Sequence, residues 1–135
     1  MGDYFGHWLS ISKRANPEKL PRVFYVNWFR KSPNGSWLWP GYGENSRVLK
    51  WIFERCAGTA KAIDTPIGRL PEPDEIDIRG LDIPAANLSK LLSVDVQGWL
   101  AEVPHIRDYF AGYGDRMPSG LKVQVEQLEQ RLRSA

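Results

Sequence analysis

The densest run of chemistry-bearing side chains lies between Asn27 and Asn45. It reads Asn27-Trp28-Phe29-Arg30-Lys31, a Ser32-Pro33-Asn34-Gly35 turn, then Trp37-Leu38-Trp39-Pro40-Gly41-Tyr42-Gly43-Glu44-Asn45. Phe29, Trp37 and Tyr42 are flat rings near one loop. Stacking a base on such a ring is worth roughly 1–3 kcal/mol. Gly41 and Gly43 flank Tyr42 and allow backbone angles and close approaches that other residues resist. Asn45 carries an amide that can offer a donor and an acceptor to the edge of a heterocycle. The same residues are also consistent with a capped helix beside a small aromatic cluster, and at this level both readings stand.

Other reactive side chains form no recognisable machinery. His7 and His105 are too far apart in sequence for an HxxxH or HExxH metal pair. Cys56 is the single cysteine, which excludes an internal disulfide, and its place on an apolar helical stripe predicts a buried, inert thiol. Glu72, Asp74, Glu75 and Asp77 lack the glycine-supported spacing of a cation loop and read as a solvated acidic segment. No GxxxxGK[ST] or GxSxG pattern occurs.

The elements that must position these groups follow from periodicity. Phe5, Trp8 and Leu9 share a face of a short helix over Tyr4 to Lys13, which Asn16-Pro17 stops. Val23 to Phe29 is β-branched and aromatic without a breaker. It predicts a strand that turns at Ser32–Gly35 and returns through Ser36–Trp39 as an aromatic β-hairpin. Asn45 or Ser46 is expected to cap a helix with Val48, Leu49, Ile52, Phe53 and Cys56 inward, ended by Gly58. Residues 64–84 hold four prolines and predict an extended surface segment with one short strand near Ile67. Leu88, Leu91 and Leu92 mark a short helix. Asp95 caps a longer one through Trp99, Val103, Ile106 and Phe110, with Pro104 as a bend or boundary. Ser119 caps a last helix carrying Leu121, Val125, Leu128 and Leu132.

The 135 residues are 42% hydrophobic and 25% charged, as in one soluble domain with one core. No apolar run reaches the roughly 20 residues of a membrane span, and no secretory leader is evident. The lone cysteine suits a reducing, cytoplasmic setting. Residues 1–70 carry 11 basic and 5 acidic side chains, and residues 71–135 carry 7 and 11. Five of the six tryptophans lie in the first half. A basic, aromatic half suits an anionic ligand with a flat ring. The basic residues are scattered rather than clustered, which argues against nucleic acid.

Residues 22–68 closely resemble the C-terminal region of GTP-dependent phosphoenolpyruvate carboxykinases. The likeness runs from Arg22-Val23-Phe24-Tyr25-Val26-Asn27-Trp28-Phe29-Arg30-Lys31 through Trp39-Pro40-Gly41-Tyr42-Gly43-Glu44-Asn45-Ser46-Arg47 to Thr65-Pro66-Ile67-Gly68. Gly2 to Leu9 resembles the helix before that region, and the acidic segment and helical tail match in order and length.

The resemblance implies a single α/β unit over residues 1–135, or α+β taken as a fragment of a larger mixed nucleotide-binding domain. Residues 1–70 would be its hairpin and guanine-pocket part, and residues 71–135 its extended segment and helical tail. It implies a monomeric parent enzyme that converts oxaloacetate and GTP reversibly into phosphoenolpyruvate, carbon dioxide and GDP, with manganese, and magnesium on the nucleotide. It places the guanine between Phe29 and Tyr42, with Trp37 closing an edge and Asn45 reading the base. Phenylalanine is common in the family at the positions of Trp37 and Tyr42. The family's catalytic residues and metal ligands have no counterparts in this chain. The chain thus reads as a C-terminal piece, inactive alone and able to self-associate through the apolar surface it would expose. The alternative is a free-standing, non-catalytic module that binds another flat ligand or a protein.

Overall fold

The computed structural model describes residues 1–14 and 16–135. Their packing divides them into two units, Met1–Pro21 with Asp95–Ala135, and Arg22–Val94.

The first unit is helical: α1 (Gly2–Arg14), α4 (Val96–Ala111) and α5 (Ser119–Arg133), with single 3₁₀ turns at Pro17–Lys19 and Gly114–Arg116. Asp95 opens α4 as expected, its Oδ1 accepting from the Gly98 N–H at 2.9 Å. α4 runs through Pro104 without a boundary. α4 and α5 pack on one another and bury Val103, Val125 and Leu132. Ser119 is the first residue of α5 rather than its cap, and Pro118 holds the cap position. α1 is held by close approach: a Cβ at Gly2 would lie 2.2 Å from the Arg116 carbonyl oxygen, so only glycine fits. Phe5 meets Tyr113 edge-on, with ring centroids 5.8 Å apart.

The second unit holds α2 (Asn45–Ala57), β1 (Ile63–Thr65), β2 (Gly68–Leu70) and α3 (Ala85–Leu92), after a 3₁₀ turn at Tyr42–Glu44. Trp39, Trp51, Ala60 and Ile76 form its core, and Phe24, Trp28, Val48, Ile52, Ile78 and Leu91 pack around them. This core crosses position 70, joining aromatic residues of the front half to side chains from the acidic stretch. α2 ends at Gly58 in the left-handed conformation, φ +80°.

The mixture of helices and one small sheet is that of an α+β fragment; the short strand expected near Ile67 is present with a partner before it, whereas the expected aromatic hairpin is not a sheet. The sheet is β1–β2, antiparallel, with Ile63 opposite Leu70 and Thr65 opposite Gly68. The aromatic β-hairpin is reduced to one bridge between Lys31 and Trp37. Two further backbone bonds support it, Leu38 N–H to Arg30 O at 3.0 Å and Ser32 N–H to Ser36 O at 2.9 Å. Residues 23–27 run without a turn and with alternating exposure but join no ladder among the described residues. Asn27 explains the break: its Oδ1 accepts from the Phe29 N–H at 2.9 Å, and this local bond competes with strand pairing.

The acidic segment is not wholly a surface feature. Ile76 is buried in the core, Glu75 accepts from the Lys61 backbone N–H at 2.8 Å, and the Asp77 carbonyl accepts from Arg47 at 2.7 Å. Cys56 is exposed rather than buried, because α2 turns Val48, Trp51 and Ile52 inward and leaves Leu49, Phe53 and Cys56 outside.

Candidate functional site

The turn from Ser32 to Gly35 brings Phe29 and Trp37 together. Their centroids are 5.9 Å apart at an interplanar angle of 64°, an edge-to-face pair. The pair is not core: Phe29 is 72% exposed and Trp37 53%. Phe29 follows Trp28 and so falls on the side opposite the inward-packed Phe24 and Trp28, where the Asn27 turn begins. Lys31 extends its ammonium over the Trp37 ring, 4.2 Å from the centroid, a cation–π contact on a face otherwise open.

The chain then turns inward for two residues. Leu38 and Trp39 are buried, and Trp39 is the indole of the core. After Pro40 it swings out again. Gly41 takes φ +81° and ψ −170°, a conformation open almost only to glycine. Tyr42 follows at φ +36°, the only described non-glycine residue with positive φ, and is 97% exposed. Tyr42 has no ring contact with Phe29, Trp37 or any other described ring. A bulky residue in the left-handed region costs on the order of 1–3 kcal/mol, and here no packing offsets it.

Asn45 opens α2. The capping role expected of Asn45 or Ser46 is filled by neither: Glu44 holds the cap position without a side-chain bond. The Ser46 hydroxyl donates back to the Gly43 carbonyl at 2.8 Å, and Arg47 Nε donates to Glu44 Oε2 at 2.6 Å, which ties the loop to the helix. Asn45 instead turns to the core, where its Oδ1 accepts from the Trp39 indole N–H at 2.9 Å. Of the four residues singled out from sequence, Phe29 and Trp37 touch, Asn45 is locked to a buried indole, and Tyr42 stands apart on its loop. Trp39 and Lys31 were not singled out. The available signal for Trp39 was a donor-only side chain six residues before an amide. The signal for Lys31 was a cation beside the turn.

Two carboxylates outside this segment are held by arginines. The Arg79 guanidinium and backbone N–H bond Asp77 and hold its carboxyl well below the usual carboxylate range, with help from Arg47. Arg133 and Arg107 lower Glu129 on α5 in the same way. His7 is exposed, and His105 meets only Glu102. Among the described residues no group of three or more His, Cys, Asp or Glu gathers as a metal site. No helix of the described residues is long and apolar enough to cross a membrane.

Outward rings on a strained loop at the start of a helix, with an amide fixed beside them, match the residues that carried the resemblance above. The profile for the phosphoenolpyruvate carboxykinase C-terminal P-loop domain matches residues 1–131. The chain belongs to the GTP-dependent phosphoenolpyruvate carboxykinase family.

It is similar to the phosphoenolpyruvate carboxykinase [GTP] of Neocallimastix frontalis, 52% identical over 136 aligned positions, covering 100% of this chain and 22% of the relative. The carboxykinase [GTP] of Arthrobacter sp. (strain FB24) is 45% identical over 131 residues, 97% of this chain and 21% of that protein. That of Treponema pallidum (strain Nichols) is 45% identical over 133 residues, 98% of this chain and 22% of that protein. The chain therefore spans about a fifth of the length of these carboxykinases.

Proposed function

We propose that this chain forms the base-reading wall of the guanine-nucleotide site of a carboxykinase that interconverts oxaloacetate plus GTP with phosphoenolpyruvate, carbon dioxide and GDP. Phe29 and Tyr42 would flank the guanine, Trp37 would close an edge, and Asn45 would recognise the polar edge.

One observation carries this reading: Tyr42 is 97% exposed at φ +36°. A tyrosine that buries nothing and sits in a disfavoured backbone region contributes no stability to the fold. Its position is explained if the ring has a guest. Phe29 and Trp37, also left in water, support the same reading.

These residues supply binding, not chemistry. Phosphoryl transfer depends on positioned metals and phosphate clamps. The described residues offer no ligand set for manganese or magnesium, and the sequence has no phosphate-loop pattern. No catalytic step is assigned to them. Stacking alone accepts any base, so preference for guanine must come from hydrogen bonds. Lacking the charge-assisted phosphate contacts of a complete site, the chain should bind nucleotide with Kd on the order of 1 mM.

Equilibrium dialysis of the chain against GDP and ADP tests the proposal. Saturable binding of GDP that ADP does not match is the expected result. Equal retention of both, or of neither, contradicts it.

A further inference from the structure

The Asn45 amide is not free to choose which end it shows a ligand. Its partner, the Trp39 Nε1–H at 2.9 Å, is a donor and nothing else. The atom bonded to the indole must therefore be the carbonyl oxygen Oδ1. Trp39 cannot turn away, since it is 6% exposed and packed in the core with Trp51, Ala60 and Ile76. Asn45 itself is helical, φ −60° and ψ −25°, which narrows its rotamers. Its other end, Nδ2, has no hydrogen-bond partner among the described residues. It is nevertheless not a buried orphan, since no buried side-chain polar atom among the described residues lacks a partner. Nδ2 therefore reaches solvent beside the Tyr42 loop as an unspent donor. The side chain also gives up helix capping, the ordinary use of an asparagine at a helix start, to keep this arrangement.

We propose that Trp39 is a specificity-determining positioning residue: by engaging Asn45 Oδ1 it fixes the amide with its NH₂ outward. The site then presents a donor to the base. A purine with a carbonyl at position 6 accepts from it, while one with an amino group there meets donor against donor. This rests on the base-binding reading above and adds the group that enforces the choice. Turning the amide over would set NH₂ against the indole N–H and leave a buried donor unpaired, a penalty that corresponds to roughly 5- to 100-fold in an equilibrium.

The test is a double-mutant cycle on the 135-residue chain, with GDP and ADP affinities measured by equilibrium dialysis. Trp39→Phe keeps a ring in the core and removes the N–H, and Asn45→Leu removes the donor. Trp39→Phe should lower the GDP-to-ADP affinity ratio about tenfold, with GDP weakened by no more than about twofold and ADP binding tighter, since a freed amide still shows NH₂ about half the time. The same change in an Asn45→Leu background should have no further effect on the ratio. If Trp39→Phe weakens both nucleotides alike, Trp39 is only a packing residue and the inference fails while the base-binding reading stands. If the unaltered chain does not prefer GDP, both fail.

A measurement without nucleotide or a core substitution covers poor folding of Trp39→Phe. In ¹⁵N–¹H spectra the Trp39 indole N–H signal should move upfield in Asn45→Leu as its hydrogen bond is lost. An unmoved signal overturns the inference.

Discussion

In the helical unit, side chains recurring every third or fourth position go inward, and Val103, Val125 and Leu132 are almost wholly removed from water. Between Phe29 and Tyr42 the largest rings go outward, and the inward places are taken by Leu38 and Trp39. Both regions are rich in apolar side chains, so hydrophobicity alone does not separate them. They differ in what the burial serves. α4 and α5 use their apolar stripes on each other. The aromatic segment uses Leu38 and Trp39 to anchor a backbone that holds Phe29, Trp37 and Tyr42 in water. At roughly 25 cal/mol per Å² of apolar surface, leaving three rings exposed forgoes several kcal/mol of possible stabilisation. On the proposed reading, stability and base binding fall to different residues of the same short stretch.

The contrast is broken most severely in the helical unit. Leu132→Ala should cost about 2–5 kcal/mol, the range for a fully buried leucine truncated to a methyl. It would be read as a lower midpoint in chemical denaturation. A loss well below 1 kcal/mol would mean that the α4–α5 contact is not a true core.

The aromatic loop should respond in the opposite sense. Tyr42→Gly removes a side chain that packs on nothing and relieves a positive φ. Stability should hold or rise by at most about 1 kcal/mol, the relief being partly offset by the greater freedom of glycine when unfolded. Retention of GDP in dialysis should fall with the same substitution. A clear loss of stability would show that Tyr42 serves the fold after all.

The smallest expected effect is electrostatic. Asp77 is held below its usual value of 3.8 mainly by its hydrogen bonds to Arg79. A carboxyl with a lowered folded pKa stabilises above its unfolded pKa, and that contribution fades as pH falls toward the folded value. Asp77→Asn should therefore lower stability slightly at neutral pH and converge with the unaltered chain in acid, which flattens the profile below pH ~4. A steeper acid loss in the variant would reverse the assignment.

How much of this was legible in the sequence differs between the same two regions. α4 and α5 were readable because a 3.6-residue period and Asp95 specify them locally. α2 and its Gly58 stop were readable for the same reason, although its inward face includes Trp51 and excludes Cys56. The pairing of Phe29 with Trp37 followed from a turn of recognisable type.

The strand over residues 23–29 was misjudged as one arm of a hairpin, because its composition is strand-like while the Asn27 side chain ends it locally. The short strand expected near Ile67 exists, but its pairing into a two-strand sheet about Pro66 and Ile67 was not legible, since strands of three residues leave no period. Ile76 is buried amid acidic neighbours, and its alternation with Ile78 spans only Glu75 to Arg79, too short to outweigh the charge around it. The bond from Trp39 to Asn45 joins a core indole to a helix start, a tertiary fact that no local pattern encodes.

The central claim is that the outward rings receive a base, and fluorine NMR of the chain labelled with 5-fluorotryptophan tests it most directly. Six tryptophans give six signals, assignable by single substitutions. GDP should move the Trp37 signal progressively and leave that of the core residue Trp51 in place. A Trp37 signal that stays fixed at saturating GDP, or that moves no more than Trp51, would contradict the account.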